Sequence, residues 1–165
     1  LEEPCRVEDV DGYAYLRQTT PINIAGAESI PTALAFKPYL EKQAFDVLQF
    51  DIATSGFSEG RRIADLAAVH GKPIAIHSWG GAVSIMAGIH FALATTNCAV
   101  TEYCFMDHPL NQHLAPGSLS VQGGYAPAPT APGLGVTFDD MLSRDYPYEL
   151  TVNTMISTEE KDLRL

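Results

Sequence analysis

Short apolar segments alternate with segments of helical periodicity from Pro21 to about Cys104. In chain order these segments are INIAGAE, PTALAFKPYLEKQ, FDVLQFD, SEGRRIADLAAVHG, KPIAIH, GGAVSIMAGIHFALATTN and CAVTEYC. Strands that alternate with helices are typical of βαβ units, and near-continuous apolar strands are typical of a parallel sheet that is covered on both faces. The sequence therefore predicts an α/β fold built on a parallel sheet.

Local signals predict where some of these elements begin and end. In the second helical segment Ser58 is the expected N-cap and Gly71 the expected end, because serine can accept from unpaired N–H groups and glycine permits a left-handed turn. The residues expected to face the core from this helix are Ile63, Leu66, Ala67 and Val69. After Cys104 a Gly- and Pro-rich stretch predicts a hairpin or an extended excursion, and little structure is expected from Met141 onward.

Five ionisable residues stand at the C-terminal ends of apolar strands. They are Glu2, Glu28, Asp51, His77 and Glu102, at separations of 26, 23, 26 and 25 residues. In a parallel barrel the C-terminal ends of the strands meet on one face, where catalytic groups are collected. Five such groups on one rim would be costly unless a metal ion or a substrate compensated them. The five residues are therefore candidates for an active site.

Each of these residues also has a purely structural explanation. An acid that follows a strand often caps the next helix, which suits Asp51 ahead of its loop. Glu28 is not needed in that role, because Ser29 or Thr32 could cap the helix that follows. A histidine at a strand end is often a satisfied, half-buried residue. The regular spacing, rather than any single residue, favours the functional interpretation.

Composition limits the classes of function. With 165 residues, 46% of them apolar and 18% charged, the chain suits one globular domain. The net charge of −10 argues against nucleic acid or an anionic membrane as a partner, because both attract basic surfaces. The three cysteines lack C-x-x-C spacing, so a disulfide scaffold is not expected and a reducing, cytoplasmic location is the default. The longest apolar run, SIMAGIHFALA, is too short to span a bilayer.

The ordered set of strand-end motifs resembles a known family. The motifs are LEEP, AGAES with Glu28, QFD with Asp51, IHSWG with His77 and TEY with Glu102. Together they resemble the C-terminal barrel part of the enolase superfamily, most closely the mandelate racemase-like subgroup within the mandelate racemase/muconate lactonizing enzyme family. The likeness runs over residues 1–139 and includes APGLGV. It implies an α/β chain that forms the C-terminal part, about strands 4–8, of a TIM-like (β/α)7β barrel.

The resemblance implies a role for each of the five residues. Glu2 and Glu28 match ligands of a Mg²⁺ cofactor. Asp51 and His77 match a hydrogen-bonded dyad in which the histidine is a general acid or base. Glu102 matches the acid that hydrogen-bonds the substrate carboxylate. These five residues constitute the predicted catalytic and metal-binding set.

Other family elements would lie upstream of Leu1. They are the first barrel strands, the N-terminal α+β capping domain, an Asp metal ligand and a basic residue often found within K-x-K. The chain is therefore expected to be the C-terminal part of a longer polypeptide, with residues 1–104 forming barrel βα units. Residues 105–165 are expected to form a post-barrel excursion, a hairpin and polar tail that pack on the barrel or the capping domain. The resemblance also implies a homo-oligomer, and Glu3 is assigned no role.

The expected chemistry is Mg²⁺-dependent removal of a proton α to the carboxylate of a small molecule. A hard cation held by carboxylate oxygens can neutralise the resulting enediolate, and a histidine near its natural pKa can move the proton. The first expectation is dehydration of a sugar acid (an aldonate or aldarate) to a 2-keto-3-deoxy acid, in which His77 helps to expel the 3-hydroxyl.

Two groups of alternatives stay open. Racemisation or epimerisation of a 2-hydroxy acid and cycloisomerisation of a lactone can pass through the same enolate. The stretch DIATSGF lacks the lysine that the muconate-lactonising subgroup carries there, which favours the His–Asp subgroup. A non-catalytic α/β binding domain is the alternative of another class, and Glu2 and Glu28 carboxylates that diverge into solvent would favour it.

Overall fold

The structure is a computed structural model that describes residues 1–104, 106 and 108–148. Its helices are α1 (Val10–Thr19), α2 (Ala33–Glu41), α3 (Ile52–Val69), α4 (Ala82–Leu93), α5 (Pro109–Leu114) and α6 (Leu142–Asp145). Its strands are β1 (Ala25–Gly26), β2 (Val47–Asp51), β3 (Ile74–His77) and β4 (Cys98–Thr101). The expectations for the tail beyond residue 148 lie outside the described residues.

The strands form one parallel sheet in the order β1-β2-β3-β4. Helices α2, α3 and α4 connect successive strands, so the predicted α/β fold of βαβ units is confirmed. A parallel bridge between Glu2 and Ala25 continues the sheet beyond β1. The register pairs Asp51, the last residue of β2, with His77, the last residue of β3. The strand ends therefore face one edge of the sheet, as the spacing of the polar residues predicts.

Two helices differ from the sequence prediction. Helix α1 is not predicted; its N-cap is Asp9, whose side chain accepts a hydrogen bond from the Gly12 N–H at 2.8 Å. Helix α3 begins immediately after β2, and its cap is Asp51, which accepts from the Ala53 N–H at 2.5 Å. Ser58 lies inside the helical segment, so its prediction as the N-cap is wrong.

The backbone of α3 determines where this helix bends, where it ends and which of its apolar residues are buried. Gly56 has a φ of 70°, a conformation that glycine adopts at little cost, and it kinks the helix near its start. Gly71, with a φ of 66°, ends the helix as predicted. Ile63 and Ala67 are buried as expected, but the side chain of Val69 is 83% exposed because it lies on the outer face of the last turn. The prediction of Val69 as a core residue is therefore wrong.

The segment after β4 packs on helix α4. One apolar cluster joins the two, and its buried members are Ala82, Ile85, Met86, Ile89, Cys104, Leu114 and Ala115. The Asn111 side chain accepts from the Ala82 N–H at 2.7 Å and so caps α4, whose own cap residue Gly81 has no side chain to do so. An antiparallel bridge between Gln122 and Tyr125 forms a short hairpin in this segment. The boundary drawn after residue 104 stays a prediction.

A half-buried ion pair ties the end of α1 to the sheet. The Arg17 Nε donates to Asp46 Oδ1 at 2.6 Å, and the Ile24 N–H donates to Asp46 Oδ2 at 2.9 Å. Burial alone would raise the pKa of Asp46, but the Ile24 N–H and the Arg17 guanidinium outweigh it and lower the pKa. The stability that the pair contributes is present above the unfolded-state pKa near 4, and it is lost as the pH falls toward the lowered folded-state pKa.

Asp46→Asn is expected to destabilise the purified protein by on the order of 1 kcal/mol at neutral pH, with the difference from the parent shrinking below about pH 4. Thermal unfolding measured across this pH range tests the expectation. Asp140→Asn, a change at an exposed carboxylate, is the matched control. A constant difference between parent and Asp46→Asn at every pH would contradict the assignment.

Candidate active site

A histidine and an aspartate form a hydrogen-bonded pair at the ends of β2 and β3. The His77 Nδ1 lies 2.7 Å from Asp51 Oδ2, and both side chains are largely buried. Asp51 also caps α3 through its other oxygen, so the same side chain serves as a helix cap and contacts His77. Because an ionised carboxylate only accepts, the pair places the proton of a neutral imidazole on Nδ1 and leaves Nε2 to exchange protons.

The Nε2 of His77 faces two further carboxylates. It lies 3.4 Å from Glu28 Oε2 and 3.8 Å from Glu102 Oε2. Burial would lower the pKa of His77, but the hydrogen bond with Asp51 and the charges of Glu28 and Glu102 outweigh it and raise the pKa. The raised pKa means that these carboxylates stabilise the protonated imidazole relative to the neutral one.

Glu28 follows β1 at the same edge of the sheet. Burial raises its pKa, and the charges of Glu2, Glu3 and Asp51 raise it further, against the opposing effect of His77. The residue before it, Ala27, has a φ of 87°, which is rare for a residue with a side chain. A carboxylate on a strained turn, with like charges around it, is typical of a functional position.

Gln49 connects two of the predicted site residues. Its Nε2 donates to Glu2 Oε1 and to Glu102 Oε1, each at 2.5 Å. The other oxygen of Glu102 accepts from the Ser78 N–H at 3.2 Å. Burial raises the pKa of Glu102, and the charge of Glu2 and a hydrogen bond with it contribute in the same direction. Glu2 and Glu102 are thus linked through the amide nitrogen of Gln49.

Glu3 has a structural role that sequence reasoning missed. Its Oε1 accepts from the Ala27 N–H at 2.5 Å, and its Oε2 accepts from the Tyr13 hydroxyl at 3.1 Å. Burial and the Glu3 charge raise the pKa of Tyr13, so the phenol stays protonated and keeps donating. Glu3 therefore fixes the turn that carries Glu28, and it does so from a φ of 40°.

The donor set at this edge suits a hard cation. None of the ion pairs that Lys and Arg form within the described residues involves Glu2, Glu28, Asp51 or Glu102. Mg²⁺ is commonly bound through one or two carboxylates and completes its shell with water and substrate. Within the described residues no group of three or more His, Cys, Asp or Glu is arranged to hold a metal ion. Glu2 and Glu28 as metal ligands stay a prediction, and they fit a site that takes its third ligand from elsewhere.

Trp79 follows His77 by two residues in the sequence. Its side chain is 61% exposed. It lines an apolar cavity together with Cys104, Met106 and Leu110. A large exposed aromatic side chain that lines an apolar cavity is a candidate for contact with the distal part of a bound molecule.

A parallel α/β sheet whose strand ends gather a His–Asp pair and several carboxylates has the arrangement of a TIM-barrel enzyme site. The chain belongs to the enolase C-terminal domain-like family, whose model matches residues 1–142. The likeness to solved structures includes a mandelate racemase/muconate lactonizing enzyme-like protein from Roseovarius sp. TM1035. That protein has a TM-score of 0.80 and 33% identity, over 90% of this chain and 37% of that chain.

Curated relatives are enzymes that act on sugar acids and their lactones. Arabinonate dehydratase of Saccharolobus solfataricus is 31% identical over 147 residues, which cover 88% of this chain and 39% of the relative. D-galactarolactone cycloisomerase of Agrobacterium fabrum is 35% identical over 145 residues, which cover 82% and 38%. The chain thus spans less than two fifths of the length of these relatives, and its four strands form part of a barrel. In the described part of the chain no helix is both long and apolar enough to cross a membrane.

Proposed function

We propose that this chain is the C-terminal barrel part of a Mg²⁺-dependent enzyme that removes a proton α to a carboxylate. The reaction that the site supports best is dehydration of a sugar acid to its 2-keto-3-deoxy product. The observation that carries the proposal is the 2.7 Å contact of His77 Nδ1 with Asp51, which leaves Nε2 toward Glu28 and Glu102. The similarity to arabinonate dehydratase supports the same class of substrate.

In this proposal His77 moves the protons and Asp51 holds its ring. Asp51 fixes the tautomer and stabilises the imidazolium that forms when Nε2 takes a proton. In dehydration the protonated Nε2 donates to the departing 3-hydroxyl, and an upstream basic residue serves as the first base. Transfer of this kind by a positioned side chain contributes about 10²–10⁴-fold to the rate.

The carboxylates bind the cofactor and the substrate. Glu2 and Glu28 hold Mg²⁺, which supplies electrostatic stabilisation of the negative charge that develops on the substrate carboxylate. Glu102 hydrogen-bonds that carboxylate, and the burial that raises the pKa of Glu102 favours the form that can donate. The remaining metal ligand, the first base and the capping domain come from the upstream part of a longer, cytoplasmic polypeptide that assembles as a homo-oligomer.

Cycloisomerisation of a sugar lactone is the second candidate. The similarity to D-galactarolactone cycloisomerase favours it, since this relative matches the chain at 35% identity. Both reactions begin with loss of an α-proton, so the same His77, Asp51 and carboxylates serve either one. Racemisation of a 2-hydroxy acid differs only in returning the proton to the opposite face of the α-carbon. The fold alone does not choose among these outcomes.

A substrate screen with the complete polypeptide tests the proposal. Aldonates, aldarates and their lactones are incubated with Mg²⁺, and 2-keto-3-deoxy products and exchange of the α-proton with deuterium are followed by NMR. At least one acid is expected to give the keto product, and chelation of the metal with EDTA is expected to abolish the reaction. A ring-opened or ring-closed isomer would favour the cycloisomerase. Absence of product and of α-proton exchange for every acid would contradict enolate chemistry and favour a binding domain.

A further inference from the structure

The side chain of Gln49 is a buried amide in the middle of β2. It is 3% exposed and stands between the fully buried Leu48 and Phe50. Burial of an amide costs several kcal/mol unless its groups are hydrogen-bonded. Gln49 meets this cost with two hydrogen bonds from one nitrogen, to Glu2 and to Glu102. Its two neighbours on the strand are apolar, so Gln49 is a polar exception at the centre of β2.

The chemistry of the partners fixes the orientation of the amide. A carboxamide nitrogen carries two hydrogens, and an ionised carboxylate can only accept. Each hydrogen of Gln49 Nε2 is therefore assigned to one oxygen of Glu2 or Glu102, which can accept in either form of Glu102, whereas the flipped amide would set its own oxygen against the Glu2 carboxylate. One oxygen of Glu2 and one of Glu102 are engaged in this way, while the second oxygen of Glu102 accepts from the Ser78 N–H.

The location of the two carboxylates gives this bridge a consequence. Glu2 pairs with β1, and Glu102 follows β4. Gln49 on β2 therefore joins groups that come from the two opposite ends of the strand order. Without the amide, the exposed Glu2 and the half-buried Glu102 would lose the donor that both share. The two N–H groups of the Gln49 amide carry partial positive charge and hold both side chains in place through hydrogen bonds.

We propose that Gln49 is a positioning residue that couples binding of a divalent cation at Glu2 to binding of an acid substrate at Glu102. The inference rests on the proposed function for the roles of Glu2 and Glu102. The hydrogen bonds of Gln49 to both residues are observed independently of those roles. Engagement of one Glu2 oxygen by the amide presents the other oxygen to the cation. When Glu2 binds a cation, the Gln49 amide that hydrogen-bonds Glu2 moves with it. The movement reaches Glu102 through the second hydrogen bond of the same amide.

The test measures Mg²⁺ binding rather than turnover. Isothermal titration calorimetry on the complete polypeptide gives the Mg²⁺ affinity alone and in saturating oxalate, a dicarboxylate with no proton to abstract. Gln49→Met, which keeps the length of the side chain and removes the amide, is expected to weaken Mg²⁺ binding about 10- to 100-fold. The factor by which oxalate tightens Mg²⁺ binding is expected to fall toward one. Gln18→Met, at an exposed site on α1, is the matched control and is expected to match the parent.

A second variant keeps the inference testable if Gln49→Met does not fold. Gln49→Asn retains an amide but is one methylene shorter, so it can reach at most one of the two carboxylates and is expected to lose the oxalate effect. Unchanged Mg²⁺ affinity with a lowered melting temperature would show a purely structural role and overturn the inference. A parent polypeptide that binds no Mg²⁺ would overturn the proposed function and this inference together, whereas a parent that binds Mg²⁺ beside unaltered variants would overturn only the inference.

Discussion

Replacement of His77 by Asn is expected to lower the turnover of the complete polypeptide by about 10²–10⁴-fold, because it removes the only proton carrier of the dyad. The amide nitrogen of the asparagine side chain can still donate one hydrogen bond to Asp51, so the strand ends are expected to keep their places. Steady-state kinetics on the acid found by the substrate screen measures the loss. Mg²⁺ affinity, measured by calorimetry, is expected to change little, since His77 is assigned no bond to the metal.

A histidine on the outer surface provides the control for this change. His70 caps the C-terminal end of α3 and is exposed, so His70→Asn is expected to keep the turnover of the parent. A His77→Asn variant that turns over at the parental rate would remove His77 from the mechanism. Equal loss of turnover and of Mg²⁺ affinity would instead indicate that the substitution collapses the whole strand-end arrangement.

Replacement of Glu28 by Gln is expected to weaken Mg²⁺ binding by about a hundredfold or more, since loss of a charged ligand removes several kcal/mol and each 1.36 kcal/mol is a factor of ten. The variant also removes the carboxylate that lies 3.4 Å from His77 Nε2. The pKa of His77 is therefore expected to fall, because one of the charges that raise it is gone. Calorimetry with Mg²⁺ and NMR titration of the imidazole measure the two effects separately.

The matched control for Glu28 is an exposed glutamate of the same length. Glu41 at the end of α2 forms an exposed ion pair with Lys37, so Glu41→Gln is expected to leave Mg²⁺ binding unchanged. Parental Mg²⁺ affinity in Glu28→Gln would contradict its role as a ligand. If the pKa of His77 nevertheless fell, Glu28 would be a counter-ion of the dyad rather than a metal ligand.

The dyad could be predicted from the sequence because its residues obey a simple rule. Parallel strands that are joined by helices place their last residues at one edge of the sheet. Asp51 and His77 end adjacent strands and pair in the register, so their spacing of 26 residues was sufficient to bring them together. Helix α1 was missed because its sequence, VDGYAYLRQT, contains glycine and has no strong apolar stripe.

The groups that hold the site could not be predicted in this way. Gln49 interrupts an apolar strand in the sequence, and its two partners are 47 and 53 residues away. Glu3 was overlooked because its contacts depend on a left-handed backbone and on Tyr13, in a helix that was itself missed. Such contacts form only when separate elements come together in the folded chain. A single polar residue has no periodic pattern in the sequence from which its contacts could be predicted.

The network around the carboxylates has a consequence for attempts to move this site into another protein. Glu3 is held by the Ala27 N–H, Glu102 by the Ser78 N–H, and Gln49 reaches both sides of the sheet. The anchoring groups belong to different strands or to the turns that follow them, and a slip of one residue in pairing would turn the side chains to the opposite face. Grafting of the acid–base pair alone would therefore carry over the reactive groups without their alignment. The smallest transferable piece is the run of consecutive strands with its pairing preserved.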